Sequence, residues 1–216
     1  VDREGLDVWR RDFVDGEAAV DDAHAETAHL ALAARLGQEG LVDGEGHLVD
    51  RLAAQGIDRR GVGKVDDLFA GRNITSTHAA TNPDAYREIT SALATMERGL
   101  LLANVIEFDQ SWGHRNDVPG FHRGLLELDR AIPDLLGQVR GDDLIIFTAD
   151  HGNDPTTPST DHSREVVPVL ACGPRVRPAG LGVRESFADV GQTVAEFLGA
   201  APLAQGRSFL DQIVNG

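Results

Sequence analysis

The sequence contains a single cysteine, Cys172, among 216 residues, so no disulfide can form within the chain. This sparing use of cysteine is typical of a reducing compartment, and we expect a cytoplasmic protein. Cys172 ends the apolar run 166–172, where a buried and unreactive thiol is expected. No stretch approaches the ~18–20 consecutive apolar residues of a membrane span, and no signal peptide is recognisable, so we expect no membrane association.

Basic residues are also scarce, since 20 Lys and Arg stand against 35 Asp and Glu, giving a formal net charge of -15. Much of the imbalance lies in the first 50 residues, which hold 13 acidic and 4 basic side chains. Nucleic acids and anionic membranes bind to clustered Lys and Arg, so neither is expected as a partner. A phosphate-bearing substrate would need metal ions or a local basic pocket to offset this negative charge.

Apolar runs alternate with amphipathic stretches from about residue 47 onward. The patterns predict strands at 57–65, 100–108, 144–149 and 166–171, and helices at 47–55, 83–99, 119–139 and 187–198. Alternation of strands and helices predicts an α/β fold, with a mostly parallel sheet covered by helices on both faces. Residues 47–216 are therefore predicted to form the core, and residues 1–46 a separate acidic segment of unclear structure.

Polar side chains that suit metal ions follow two of the predicted strands. Asp109 comes directly after the strand at 100–108, with His114 five residues further on. Asp150 and His151 end the strand at 144–149, and His162 follows a turn-rich segment. Because ligands bind outside the carboxyl ends of parallel strands, we expect the two loci to converge. Two carboxylates and three imidazoles exceed one tetrahedral site and suit a pair of divalent ions that handle a phosphate.

Each of these motifs also has a purely structural interpretation. Loops after strands favour Asp and Gly, so Asp150 and His151 could mark a simple polar exit from a strand. Lys64, at the end of a predicted strand, is equally consistent with a solvated surface lysine and with a ligand-binding side chain. The preceding Gly-Val-Gly is not a phosphate-binding P-loop, because the required spacing is missing. The expected convergence of two loci favours the metal interpretation.

Four segments together resemble the phosphopentomutase family of the alkaline phosphatase superfamily: 63–71, 104–117, 147–155 and 160–168. They occur in the family's order with close spacing, and the resemblance extends from about His47 to the C-terminus. It implies an alkaline-phosphatase-like core. It also implies an isomerase of nucleoside metabolism that interconverts ribose 1-phosphate and ribose 5-phosphate, or the deoxyribose pair, through two Mn²⁺ ions and a phospho-enzyme.

The resemblance also implies two ligand sets. Asp109, His114 and His162 match the positions that bind one metal, and Asp150 and His151 match positions that bind the other. In the family, the second set is completed by an Asp at the end of the first strand and by the phosphoryl-accepting Thr, both from the N-terminal part.

Two further side chains are placed by the same resemblance. Lys64 matches a position near the substrate phosphate. Asp161 matches no ligand position, and we expect Asp161 instead to support its neighbour His162.

Residues 1–46 do not resemble the family's first strand, its Thr-bearing loop or its substrate-binding cap, so no catalytic Thr is assigned. The leading hypothesis is a phosphopentomutase-type enzyme acting on a small pentose phosphate. One alternative is a metal-dependent phosphatase or phosphodiesterase, in which water attacks directly. Another is an inactive metal-binding remnant, or a half-enzyme that needs a protein partner or a missing N-terminal part.

Overall fold

A computed structural model of the chain describes residues 47–162 and 166–214. Within these ranges the strands are β1 (Asp58–Val62), β2 (Thr75–Thr77), β3 (Gly99–Ala103), β4 (Ile145–Thr148) and β5 (Val169–Cys172). The helices there are α1 (Leu48–Ala54), α2 (Val65–Leu68), α3 (Asn82–Thr95), α4 (Val118–Leu136), α5 (Ala188–Phe197) and α6 (Leu210–Ile213). The predicted acidic segment at 1–46 lies outside the described residues, so the domain division stays a prediction.

The described strands form two sheets. In the first, β1 lies between β2 and β3 and pairs with both in parallel, with Val62 opposite Thr77 on one side and Ala103 on the other. In the second, β4 and β5 pair antiparallel, with Ile145 opposite Cys172. The predicted α/β class with a parallel sheet is confirmed, although β5 runs against its neighbour.

Helices cover both faces of the parallel sheet, as predicted. Side chains of a strand point alternately to its two faces. On β3, Leu100 and Leu102 pack in one cluster with α1 and α5, while Leu101 and Ala103 pack in another with α3 and α4. Both faces of β3 are therefore buried, which is why the strand is continuously apolar.

The strand predicted at 100–108 is wrong at its carboxyl end, because β3 stops at Ala103. The next residues are held by a reciprocal pair of bonds from side chain to backbone. The Asn82 N–H donates to the Glu107 carboxylate, and the Glu107 N–H donates to the Asn82 side-chain oxygen at 3.1 Å. The chain leaves the sheet at this contact, and the next residue, Phe108, is completely buried against Phe121 of α4. A π-helical turn, Phe108–Trp112, and a 3-10 turn, Gly113–Arg115, follow.

Strand β2 was not predicted, because it is only three residues long and all three are polar. It pairs with β1 through the backbone, and Ser76 lies opposite Gly61. A Cβ atom at Gly61 would approach the Ser76 Oγ to 2.1 Å, so the missing side chain lets the two strands pack closely. This contact depends on residues distant in the sequence.

The exit of β1 is fixed by Gly63, whose φ of +86° favours glycine. A Cβ atom there would lie 2.2 Å from the Asn104 carbonyl oxygen, so a side chain would collide with the segment that follows β3. The Asn104 N–H donates to the Val62 carbonyl at 2.9 Å. The two strands therefore end side by side. Lys64 directly precedes α2 at this edge of the sheet, from which the segment after β3 leads to Asp109.

The two long helices on this face begin where their prolines predict. Thr81 caps α3 by accepting a hydrogen bond from the Asp84 N–H, and Asp117 caps α4 by accepting one from the Gly120 N–H at 2.9 Å. Pro83 and Pro119 occupy the first turns of the two helices, where no N–H is needed. Within the described ranges, none of the helices is both long and apolar enough to cross a membrane.

Candidate metal centre

Asp109 is positioned by the π-helical turn that follows β3. The preceding residue, Phe108, anchors this turn, since its buried ring makes edge-to-face contacts with Trp112 at 5.2 Å and Phe121 at 5.1 Å between centroids. The Asp109 side chain, directly after this anchor, is 24% exposed. The packing of the aromatic rings thus holds a carboxylate at the edge of the sheet, within reach of solvent.

Asp109 forms a compact triad with two histidines. Its Oδ1 lies 3.2 Å from the His114 Nε2 and 3.3 Å from the His162 Nε2, and the two Nε2 atoms are 3.1 Å apart. Ligands bound at about 2.0–2.2 Å around one divalent ion are separated from one another by about 3.0–3.5 Å. The three atoms therefore have the mutual spacing of ligands around a single ion.

The hydrogen bonds of the triad favour the ligand form of the imidazoles. The His114 Nδ1 bonds the Thr160 carbonyl oxygen, which can only accept, so Nδ1 carries a proton and Nε2 is the nitrogen that faces Asp109 and His162. Burial, together with the neighbouring His151, lowers the pKa of His162, and Asp109 only partly opposes this effect. Ring nitrogens that lie close to one another beside a carboxylate are an arrangement that a cation stabilises.

The second predicted locus adjoins the first. The His151 ring stacks on the His162 ring, with centroids 3.6 Å apart and planes 19° apart. Ligand atoms of Asp109, His151 and His162 all lie within 4.8 Å of one another. The Asp150 Oδ1 is 3.7 Å from the His151 Nε2. The structure thus brings all five predicted ligands into one cluster, and their assignment to two ions stays a prediction.

Asn153 is a site residue that the sequence reasoning missed. Its side chain is fully buried, and its amide donates to the Asp109 Oδ1 at 2.9 Å. The approach requires Gly113, because a Cβ atom there would lie 2.2 Å from the Asn153 amide nitrogen. Asn153 belongs to the segment 147–155 that carries the family resemblance, but the pattern alone does not show which side chain it supports.

A second missed residue, Asn116, holds the loop that leads to His162. Asn116 has a φ of +51°, and its amide donates to the carbonyl oxygens of Thr157 and Ser159. Asp154 stabilises the start of the same loop, since its Oδ1 accepts bonds from the N–H of Thr156 at 2.8 Å and from its hydroxyl at 2.7 Å. Bonds at several points thus define the path of the loop.

The remaining predicted positions lie around this cluster. Lys64 is exposed at the sheet edge where β1 and β3 end. Asp161 is exposed, and its N–H donates to the Ser159 Oγ. The role of Lys64 at a substrate phosphate stays a prediction.

Fold and site together define an α/β chain with a carboxylate–imidazole cluster at the carboxyl edge of its parallel strands. Residues 47–202 match the Metalloenzyme superfamily. The chain belongs to that superfamily. The matched range contains Lys64 and all five predicted ligands.

Several similar proteins carry the name of the phosphopentomutase family, which the four sequence segments resemble. The chain is 47% identical over 171 residues to a phosphopentomutase of Dictyoglomus turgidum, covering 78% of this chain and 43% of that protein. It is 44% identical over 168 residues to a phosphopentomutase of Symbiobacterium thermophilum, covering 77% of this chain and 43% of the relative. The resemblance to this family is confirmed. The chain spans less than half the length of these curated relatives.

A solved structure supports the fold. Phosphoglycerate mutase of Leishmania mexicana, crystallised at low cobalt concentration, matches with a TM-score of 0.57 and 20% identity. The match covers 76% of this chain and 38% of that one. At this identity the likeness concerns the fold alone, and it agrees with the predicted alkaline-phosphatase-like core.

Proposed function

We propose that this chain contains the metal-binding core of a phosphopentomutase-type isomerase. Its reaction would interconvert ribose 1-phosphate and ribose 5-phosphate, or the deoxyribose pair, in the cytoplasm. The observation that carries the proposal is the triad of Asp109, His114 and His162, with ligand atoms 3.1–3.3 Å apart. The 44–47% identity to proteins named phosphopentomutase supports this choice of reaction.

The donor set suits two divalent ions, with Mn²⁺ as the proposed metal. Asp109, His114 and His162 would hold one ion, and Asp150 and His151 would contribute to the second. Carboxylate oxygens mixed with neutral imidazoles suit Mn²⁺, Zn²⁺ or Fe²⁺ better than Ca²⁺, which prefers oxygen alone. The ions would supply positive charge that neutralises the phosphate and holds its oxygens in line for transfer.

The chain's own side chains would orient this centre. Asn153 fixes the Asp109 carboxylate by its 2.9 Å hydrogen bond, and the Thr160 carbonyl orients the His114 ring by accepting from Nδ1, which leaves Nε2 facing the triad. Lys64, at the same edge of the sheet, would attract the substrate phosphate. In a chain with a net charge of -15, such local cations are needed to bind an anion.

A second candidate is a half-enzyme that binds metal but needs a partner or further chain for turnover. The chain's span of less than half the length of its curated relatives favours this possibility. In the family resemblance, the phosphoryl-accepting Thr and one metal-ligating Asp come from an N-terminal part that residues 1–46 do not match. A phospho-enzyme would then form only after that part is supplied.

The test combines metal analysis with phosphorus NMR. The purified chain, loaded with Mn²⁺, is incubated with ribose 1-phosphate, and the products are followed by their phosphorus resonances. Ribose 5-phosphate supports the isomerase, and inorganic phosphate alone supports a phosphatase. Bound metal without turnover supports the half-enzyme. Failure of the chain to bind Mn²⁺, Zn²⁺ or Co²⁺ at micromolar concentration would contradict all three.

Asp109→Asn is the matched variant for this test. The substitution keeps the size of the side chain and removes the negative charge of Asp109. Bound metal should fall in this variant, whereas Asp161→Asn, the same change at an exposed carboxylate of the neighbouring loop, should leave it unchanged. Equal metal content in both variants would show that the triad is not the site.

A further inference from the structure

Two members of the triad, Asp109 and His114, are five residues apart, yet their ligand atoms lie 3.2 Å from each other. In a regular α-helix, residues five apart are separated by about 140° around the axis, so their side chains diverge. The chain here forms the π-helical turn, in which the Gly113 N–H donates to the carbonyl oxygen of Phe108, five residues before it, as well as to that of Asp109. The wider turn brings the two ligands toward the same side.

The register of this turn depends on contacts outside it. Turns with a bond over five residues are rare and occur frequently at functional sites. A regular α-helical register over the same residues would separate Asp109 from His114. The buried Phe108 ring holds the middle of the turn against Trp112 and Phe121. A separate contact is needed to decide where the turn begins.

The start of the turn is held by the reciprocal bonds between Glu107 and Asn82, which together form the Asn82–Glu107 clasp. The Glu107 N–H donates to the Asn82 Oδ1 at 3.1 Å, and the Asn82 N–H donates to the Glu107 carboxylate. In a continuing helix, the Glu107 N–H would instead bond the carbonyl oxygen of Ala103, four residues earlier. The clasp uses this N–H and so defines the residue at which the helical turn starts.

Both partners of the clasp are fixed in one arrangement. Asn82 is fully buried at the first residue of α3, a helix of 14 residues. The N–H groups of a first turn have no partner within their own helix, and the positive end of the helix favours a carboxylate such as that of Glu107. The Asn82 side chain must present its oxygen to the Glu107 N–H, because its amide nitrogen can only donate.

We propose that the Asn82–Glu107 clasp positions the metal ligands by holding the π-helical register in which Asp109 and His114 bind the same ion. The inference rests on the metal centre of the proposed function, and neither Asn82 nor Glu107 contacts the ion in it. Without the clasp, the turn relaxes toward the α-helical register, and His114 moves away from Asp109. Metal affinity then falls although the chain stays folded.

Titration calorimetry of the full chain with Mn²⁺ tests the clasp. Glu107→Ala removes the acceptor of the Asn82 N–H and should weaken Mn²⁺ binding at least about tenfold. Glu107→Gln keeps an acceptor oxygen and should retain the affinity of the unaltered chain. Equal weakening in both variants would mean that the charge of Glu107 acts on the ion, and this result would overturn the proposal. Unchanged affinity in Glu107→Ala would overturn it too, while leaving the proposed function intact. An unaltered chain that binds no ion would contradict both.

A second pair of variants separates positioning from a general loss of stability. Asn82→Ala removes the acceptor of the Glu107 N–H, whereas Thr81→Ala, at the adjacent residue, removes the cap of α3. Both should lower the midpoint of thermal unfolding. Only Asn82→Ala should also weaken Mn²⁺ binding and alter the visible absorption spectrum of bound Co²⁺, which reports the ligands around the ion. Equal losses of affinity in the two variants, or an unchanged Co²⁺ spectrum in Asn82→Ala, would overturn the proposal.

Discussion

At the scale of single residues, Asn153 is the buried amide that supports the candidate metal centre through a hydrogen bond. Its role at Asp109 is to donate a hydrogen bond to Oδ1, which orients the carboxylate toward His114 and His162. Groups that orient a ligand in this way typically contribute about 10–100-fold in metal affinity.

We therefore expect Asn153→Ala to weaken Mn²⁺ binding by about 10–100-fold, measured by titration calorimetry. Asn73→Ala is the matched control, because Asn73 also donates to an aspartate, Asp50, but at an exposed position. Its affinity for Mn²⁺ should equal that of the unaltered chain. Unchanged affinity in Asn153→Ala, with a normal unfolding transition, would show that Asp109 is oriented by other contacts.

The Cys172 thiol leads to a prediction about its reactivity and about the pH dependence of stability. Burial raises the pKa of its thiol to about 11, so the folded state favours the protonated form. At pH 8 the native thiol should react with a disulfide reagent about a hundredfold more slowly than in the unfolded chain. The stability that this thiol contributes is complete below its ordinary pKa and is lost as the pH rises through about 11. Cys172 is half-buried, not fully buried as its apolar run predicts, and equal rates in the native and unfolded states would contradict the raised pKa of its thiol.

The side chains of the candidate metal centre could be predicted from the sequence, whereas the residues that support them could not. Asp109 and Asp150 follow apolar runs, and a carboxylate directly after an apolar run can be recognised from the sequence alone. The amides of Asn153 and Asn116 act on groups about 40 residues away, at the Asp109 carboxylate and the Thr157 carbonyl. Nothing in their local pattern distinguishes them from ordinary loop residues.

At the scale of elements, the connection after β1 depends on one glycine. Gly63 has a φ of +86°, and a Cβ atom added there would lie 2.2 Å from the Asn104 oxygen. We expect Gly63→Ala to lower the free energy of unfolding by about 2 kcal/mol or more, from backbone strain and collision together. Urea unfolding followed by circular dichroism measures the change.

The substitution Gly56→Ala separates the effect of backbone strain from the effect of steric collision. Gly56 also has a positive φ, +68°, but a Cβ atom there would meet nothing within 4 Å. Its substitution should cost about 1 kcal/mol, from the backbone conformation alone. Similar losses at the two positions would mean that the ends of β1 and β3 move apart without cost.

Elements with a strong pattern were predicted, and those that depend on distant partners were not. Helices α3 and α4 carry caps and prolines at their starts, so their beginnings follow from local chemistry. The end of β3 is set by the contact between Asn82 and Glu107, 25 residues apart. The break between β3 and β4 is likewise invisible in the sequence, because strand pairing joins residues far apart along the chain.

At the scale of the whole molecule, the chain carries a formal net charge of -15, and two of its carboxylates, those of Asp109 and Asp150, lie in the carboxylate–imidazole cluster. Asp109 has its Oδ1 within 3.3 Å of two histidine nitrogens, one of which, on His162, has a pKa lowered by burial and by His151. Metal ions that bind the folded chain and not the unfolded one would therefore stabilise the entire fold.

We expect Mn²⁺ at about 100 times its dissociation constant to add about 2.7 kcal/mol to the free energy of unfolding. For a domain of this size the midpoint of thermal unfolding should rise by about 5–10 °C, and a chelator should reverse the rise. Asp109→Asn should lose most of the shift. Asp58→Asn, at the opposite end of β1 and partly exposed beside Arg60, should keep it. An equal rise in both variants would place the stabilising ion away from the cluster and remove the main support for the proposed function.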